Sequence, residues 1–171
     1  GLYPKYALMD QLLYFAKLKG VAKDVAKERI AYWAKRLEVE EYLYPNKTKV
    51  KGKKKEKPKT ADQLSKGNQQ KVQMMAALLS EPQLLILDEP INGLDPQGIV
   101  EIRTLLKRLK DEEKISIMIA SHILSELDKL ADTVGIIHKG KLLKEISDEE
   151  IEKESYIEIE TPDSNAVNRL L

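Results

Sequence analysis

The chain has 171 residues, 42% hydrophobic and 33% charged, with 29 basic side chains against 28 acidic ones for a formal net charge of +1. That length holds one ordinary core and not two comfortable ones. With no cysteine, the chain builds neither a disulfide framework nor a Cys-based zinc site, which suits a reducing cytosol, and no apolar run approaches the ~20 residues that span a bilayer.

No basic-then-apolar segment opens the chain, and a first residue of Gly1 rather than methionine reads as the start of a fragment or a processed chain. Residues 6–19 carry an apolar face through Leu8, Leu12, Leu13, Phe15 and Ala16 and stop at Gly20, which suits a left-handed helix cap. Residues 22–39 repeat the pattern with Ala22, Ala26, Ile30, Trp33 and Leu37. Two adjacent amphipathic helices with a short joint predict an antiparallel pair. Residues 42–60 read as loop, punctuated by Pro45, Gly52 and Pro58. Within 47–59 stand eight lysines against Glu56 alone, and without that tract the net charge falls from +1 to −6. Such single-sign runs are more often solvated loops than docking surfaces for lipid, nucleic acid or acidic partners.

A third helix starts at Ser65, whose hydroxyl can cap it; it buries Val72, Met75, Ala76 and Leu79 and ends before Pro82. The continuous aliphatic run 84–87 has the form of a parallel strand covered on both faces. Asp95-Pro96 then opens a helix with Ile99, Ile102, Leu105, Leu106 and Leu109 inside. "ISIMIA" (115–120) reads as a second buried strand, 123–131 as a short helix, and "TVGIIH" (133–138) as a third strand. Alternating strands and helices imply parallel strands joined by right-handed crossovers. Lys139-Gly140 turns the chain into a hairpin arm, "KLLKEI", and the tail adds a strand, "SYIEIE", and a helix beyond Pro162.

In a parallel α/β sheet, functional residues collect at the carboxyl ends of the strands. Asp88 and Glu89 end the first predicted strand, and Ser121 and His122 follow the second. Neighbouring strands would turn two acids and an imidazole toward one crevice. In "LLILDEP" one carboxylate can hold Mg²⁺ through its waters while the next orients or deprotonates a water. Four aliphatics before the acids and Pro90 after them speak against mere solvation of a strand end. "LSKGNQQK" puts Ser65 and Gly67 at a helix start, where free N–H groups and the helix dipole favour phosphate. Taken alone, though, that pattern is more often a plain capped helix. His122 by itself is more often a structural histidine than a catalytic one, and Asp95 doubles as an N-cap.

Residues 135–141, "GIIHKGK", have the G-x-x-x-x-G-K spacing of a P-loop. Leu142 stands where Ser or Thr would meet magnesium, and strand-like residues follow where a helix would begin, so the segment reads as a hairpin. No other P-loop candidate exists in the sequence.

"LSKGNQQKV", "LLILDEP", "INGLDP" and "ASH", in that order and spacing, resemble the second half of an ATP-binding cassette (ABC) ATPase, over residues 1 to about 145. The resemblance implies an α/β fold: part of a RecA-like, P-loop NTPase parallel sheet, with a helical subdomain and a small C-terminal α+β extension. Its bounds would be 1–80 for the helical subdomain with its lysine-rich insertion and signature, 81–146 for the core, and 147–171 for an extension like that of bacterial drug-resistance and peptide-immunity subunits. By the same resemblance, Ser65, Gly67 and Gln69 belong to the signature that meets a partner's nucleotide, with Lys66 in place of a glycine of the commonest version. Asp88 matches the Walker B aspartate that orders Mg²⁺, Glu89 the catalytic glutamate, Gly93, Leu94 and Asp95 the D-loop, and His122 the switch histidine. "GLYP" looks like the segment after the Q-loop of exporter-type members. The Walker A and Q-loop motifs are missing, which implies an incomplete cassette, weak or inactive alone.

The implied cofactors are ATP and Mg²⁺, and the implied partners are a second ATPase domain and a transmembrane permease, at the cytoplasmic face of the cell membrane. Two other readings stand beside it. A DNA-associated ABC-type ATPase shares the signature and Walker B but usually lacks a proline at the position of Pro90. A non-catalytic interaction module is favoured by the missing P-loop.

Overall fold

The computed structural model describes residues 1–45, 59–122 and 130–147. Most of the lysine tract, residues 123–129 of the helix expected at 123–131, and the tail expected beyond 147 lie outside the described residues. The chain divides into two compact units, Gly1–Ile119 and Ala120–Leu171.

The first unit begins with α1 (Leu8–Leu18), α2 (Lys23–Arg36), a short α3 (Glu40–Leu43) and α4 (Lys66–Leu78). Gly20 ends α1 in the left-handed region (φ +76), as its sequence position predicts. Leu8, Leu12 and Ala16 of α1 and Ala26, Ile30, Trp33 and Ala34 of α2 are buried and repeat at helical spacing. Ala22, expected inside, is the exposed N-cap of α2. α3 occupies the start of what reads as loop, because Leu43 is buried there and anchors a single helical turn.

Gln11, almost wholly buried, locks the start of the chain. Its Oε1 accepts from Tyr3 N at 2.7 Å, and its Nε2 donates to the Tyr3 and Tyr6 carbonyls, both at 2.9 Å. A bridge from Ala7 to Thr60 ties the far side of the lysine tract back to α1.

α4 packs against α1, α2 and α5 through Val72, Met75, Leu78 and Leu79, all fully buried. β1 (Leu84–Asp88) follows, then α5 (Pro96–Asp111) and β2 (Ser116–Ala120), which pairs with β1. The helix between the two strands is the crossover that a parallel pair requires. α5 turns Ile102, Leu105, Leu106 and Leu109 inward, while Ile99 is half-buried. Around the turn into β2, Arg36 of α2 pairs with Glu112 at 2.5 Å and Glu113 at 2.7 Å, and Tyr32 donates to Glu113 at 2.8 Å.

One expectation needs correction. Among the described residues the β1–β2 sheet is covered on one face and not two: Leu85 is 4% exposed, but Leu84 is 49%, Ile86 68% and Met118 of β2 58%. The aliphatic run therefore alternates in the fold although it does not alternate in sequence. In the second unit the third strand, β3 (Thr133–His138), pairs antiparallel with β4 (Lys141–Ser147). The turn residues of that hairpin, Lys139 (φ +47) and Gly140 (φ +74), are both left-handed, the geometry whose twist matches flanking strands. Residues 135–141 are thus strand and turn, without the helix a P-loop would open.

Candidate functional site

β1 ends at Asp88, whose side chain is exposed, and the next residue leaves the ladder abruptly. Glu89 has φ +48, a left-handed backbone that a residue with a Cβ adopts at a cost. It is half-buried, and its Oε2 is a buried oxygen that accepts no hydrogen bond, although the residue is engaged through other interactions. The chain then turns twice. Asn92 N donates to the Glu89 carbonyl at 3.2 Å, and Leu94 N donates to the Ile91 carbonyl at 3.3 Å, with Gly93 at φ +69. Pro90 and Ile91 are buried and pin the turn to the unit beneath it.

Asp95 closes the segment by capping α5: its Oδ1 accepts from Gly98 N at 3.2 Å. Gly98 makes that cap fit, because a Cβ there would stand 2.7 Å from the same oxygen.

α4 starts at Ser65, whose Oγ accepts from Asn68 N at 3.3 Å. The Gln69 side chain reaches back to the Leu64 carbonyl at 3.1 Å, so it braces the loop entering the helix. In front of Gly67 there is open space, with nothing within 4 Å of an added Cβ. A side chain at that position would therefore meet no neighbour. From the same helix Gln70 donates to the Pro90 carbonyl at 3.0 Å, Lys71 pairs with Glu101 of α5 at 2.9 Å, and Asn68 donates to the Tyr42 hydroxyl at 3.0 Å. Burial, with the neighbouring Glu41 second, pushes the Tyr42 hydroxyl above its ordinary pKa.

The helix bearing Ser65, Gly67 and Gln69 thus lies against the turn that runs from Glu89 to Asp95. His122 lies two residues beyond β2, in the second unit, and is exposed. Sequence reading passed over Gln70 and Lys71. The one available signal was a lysine beside Val72 in the buried stripe of α4.

A family profile described as "AAA domain, putative AbiEii toxin, Type IV TA system" matches residues 28–128, more than half of the chain. Among curated proteins, the Bacitracin transport ATP-binding protein BcrA of Enterococcus faecalis is 38% identical over 100% of this chain and 51% of its own length. The protein of the same name from Bacillus licheniformis is 40% identical over 96% of this chain and 49% of its own. Among solved structures, cbiO1 from Clostridium perfringens, part of the ABC transporter complex cbiONQ, superposes with a TM-score of 0.71 at 27% identity, covering 90% of this chain and 55% of that one. The chain belongs to the AAA-type ATPase domains of the ATP-binding cassette family. It spans about half the length of the curated relatives it matches.

Membership of the cassette family implies ATP binding, and the residues present fit part of that task. Among the described residues no three acidic or histidine side chains converge on a metal ion. No helix among the described residues is long and apolar enough to cross a membrane.

Proposed function

We propose that this chain is the signature- and Walker B-bearing part of a cassette that couples ATP hydrolysis to membrane transport, as an exporter. The observation that carries the reading is Glu89: a half-buried carboxylate in a left-handed backbone, directly after a strand that ends in an exposed aspartate. Backbone of that kind persists where its surroundings over-determine it, and such positions cluster at active sites.

In this reading Asp88 orders the hydration shell of Mg²⁺, and Glu89 orients and polarises the attacking water. His122 donates to the γ-phosphate. Ser65, Gly67 and Gln69 meet a nucleotide held by a second ATPase domain, and Asp95 links the two sites. The partners are that second domain and a transmembrane permease, with the chain at the cytoplasmic face. Phosphoryl transfer is largely positioning and charge stabilisation, so a Walker A segment, from the same polypeptide or another, is needed for turnover. The open apolar face of Leu84, Ile86 and Met118 supports the need for such a completing segment, since exposed apolar patches mark surfaces that pack. Transport, and export in particular, is supported by the likeness to the bacitracin transport proteins.

The test is Glu89→Gln in the assembled ATPase. The amide keeps the shape and cannot act as a base, so ATP binding is retained while steady-state hydrolysis falls by about 10²-fold or more. Hydrolysis near the wild-type rate would reduce Glu89 to a residue that solvates a strand end.

A further inference from the structure

Lys66 and Gln70 stand four residues apart on α4, hence on one face of the helix. Both reach the turn that follows β1. Gln70 Nε2 donates to the Pro90 carbonyl at 3.0 Å. The Lys66 side chain lies over Gly93: a Cβ at that glycine would overlap Nζ and sit 3.5 Å from Cε and 3.8 Å from Cδ. One contact falls next to Glu89 and the other two residues before Asp95.

We propose that Lys66 and Gln70 are positioning residues, through which the signature helix holds the Glu89–Asp95 turn of its own chain in register. The proposal rests on the reading of Glu89 as the group that activates water. Three physical points carry it. Proline fixes φ, so the direction of the Pro90 carbonyl is the main freedom left at that residue, and Gln70 takes it. The left-handed backbone of Glu89 is uphill for a residue with a Cβ and is kept only while its neighbours are held. A lysine in the first turn of a helix is opposed by the helix dipole, so local helix stability does not account for Lys66. Its position over Gly93 gives it a role beyond its own helix.

Two readouts test this. The first is hydrogen exchange of amides 91–95 in this chain; the second is ATPase kinetics of the assembled protein. Gln70→Met keeps length but cannot donate, Lys66→Ala removes the arm, and Lys66→Arg restores a cationic one. Lys107→Ala, on the exposed side of α5, is the control. In Gln70→Met and Lys66→Ala, exchange at 91–95 rises about tenfold through easier local opening, and kcat falls about ten- to a hundredfold with KM for ATP unchanged. Lys66→Arg recovers both, and Lys107→Ala alters neither. Should Gln70→Met fail to fold, the exposed Lys66 variants still decide the matter. Unchanged exchange overturns the proposal. So does faster exchange with wild-type kcat, provided Glu89→Gln abolishes turnover. If Glu89→Gln leaves turnover intact, the functional reading fails, and the exchange readout by itself upholds or rejects the tether.

Discussion

Lys71 Nζ lies 2.9 Å from Glu101 Oε2 and joins the signature helix α4 to α5. The two ends differ in surroundings: the Lys71 side chain is 8% exposed and that of Glu101 44%. Removing the acid leaves a buried ammonium without its partner, whereas removing the lysine leaves a carboxylate already half in water. Glu101→Ala should therefore cost about 1–3 kcal/mol, and Lys71→Met less than about 1 kcal/mol. Urea unfolding of both variants at neutral pH checks the order. Equal losses would mean that the pair behaves as an ordinary surface bridge.

The same pair gives an acid limb to the stability curve. Hydrogen bonds from Lys71 and then Gln97 hold the Glu101 carboxyl below its ordinary pKa. Its stabilisation is complete above the unfolded glutamate value of about 4.3 and is lost as pH falls through the lower folded value. The stability difference between the wild type and Glu101→Ala should thus be constant above about pH 5 and shrink below about pH 4. A difference that grew on acidification would reverse the sign of the assignment.

Glu89 separates strain from chemistry. Glu89→Gln and Glu89→Gly both lose the carboxylate, but only glycine relieves the left-handed backbone. Glu89→Gly should be more stable than Glu89→Gln by about 1 kcal/mol, while neither supports turnover. Thermal unfolding of the two variants reads this directly, and a less stable glycine variant would show that φ +48 carries no strain.

Gly98 and Asp95 set two helix effects against each other. Alanine in a helix is favoured over glycine by about 1 kcal/mol, but a Cβ at 98 crowds the Asp95 cap, itself worth about 1 kcal/mol. Gly98→Ala should be close to neutral in the wild type and stabilising by about 1 kcal/mol in an Asp95→Ala background. Stabilisation of equal size in both backgrounds would mean that the cap tolerates the methyl group.

This chain alone should bind Mg-ATP weakly. Its one P-loop-like string is the β3–β4 hairpin, and the groups proposed to meet phosphate sit at one helix start. Titration calorimetry with Mg-ATP should find no micromolar site, which would require about −8 kcal/mol of binding free energy.

The elements that the sequence determined are those with strong local physics. Ser65 and Asp95 announce helices because their side chains satisfy orphan N–H groups, and both caps form. Gly20 and Lys139-Gly140 announce chain reversals because the left-handed region favours glycine. Ile30, Trp33, Leu105 and Leu109 reveal buried faces through helical spacing. The four motifs, read by order and spacing, carried the family as well. Tertiary structure decided what no local pattern encodes. An aliphatic run such as Leu84–Leu87 reads the same whether one face is covered or two, because burial depends on what packs from elsewhere. The left-handed backbone of Glu89 is imposed by the turn it enters; nothing in glutamate favours it. Gln70 and Lys71 acquire partners only when α4 is laid against Pro90 and Glu101, contacts 20 and 30 residues away in the chain. Side-chain identity fixes what these groups can donate, and packing alone fixes to whom.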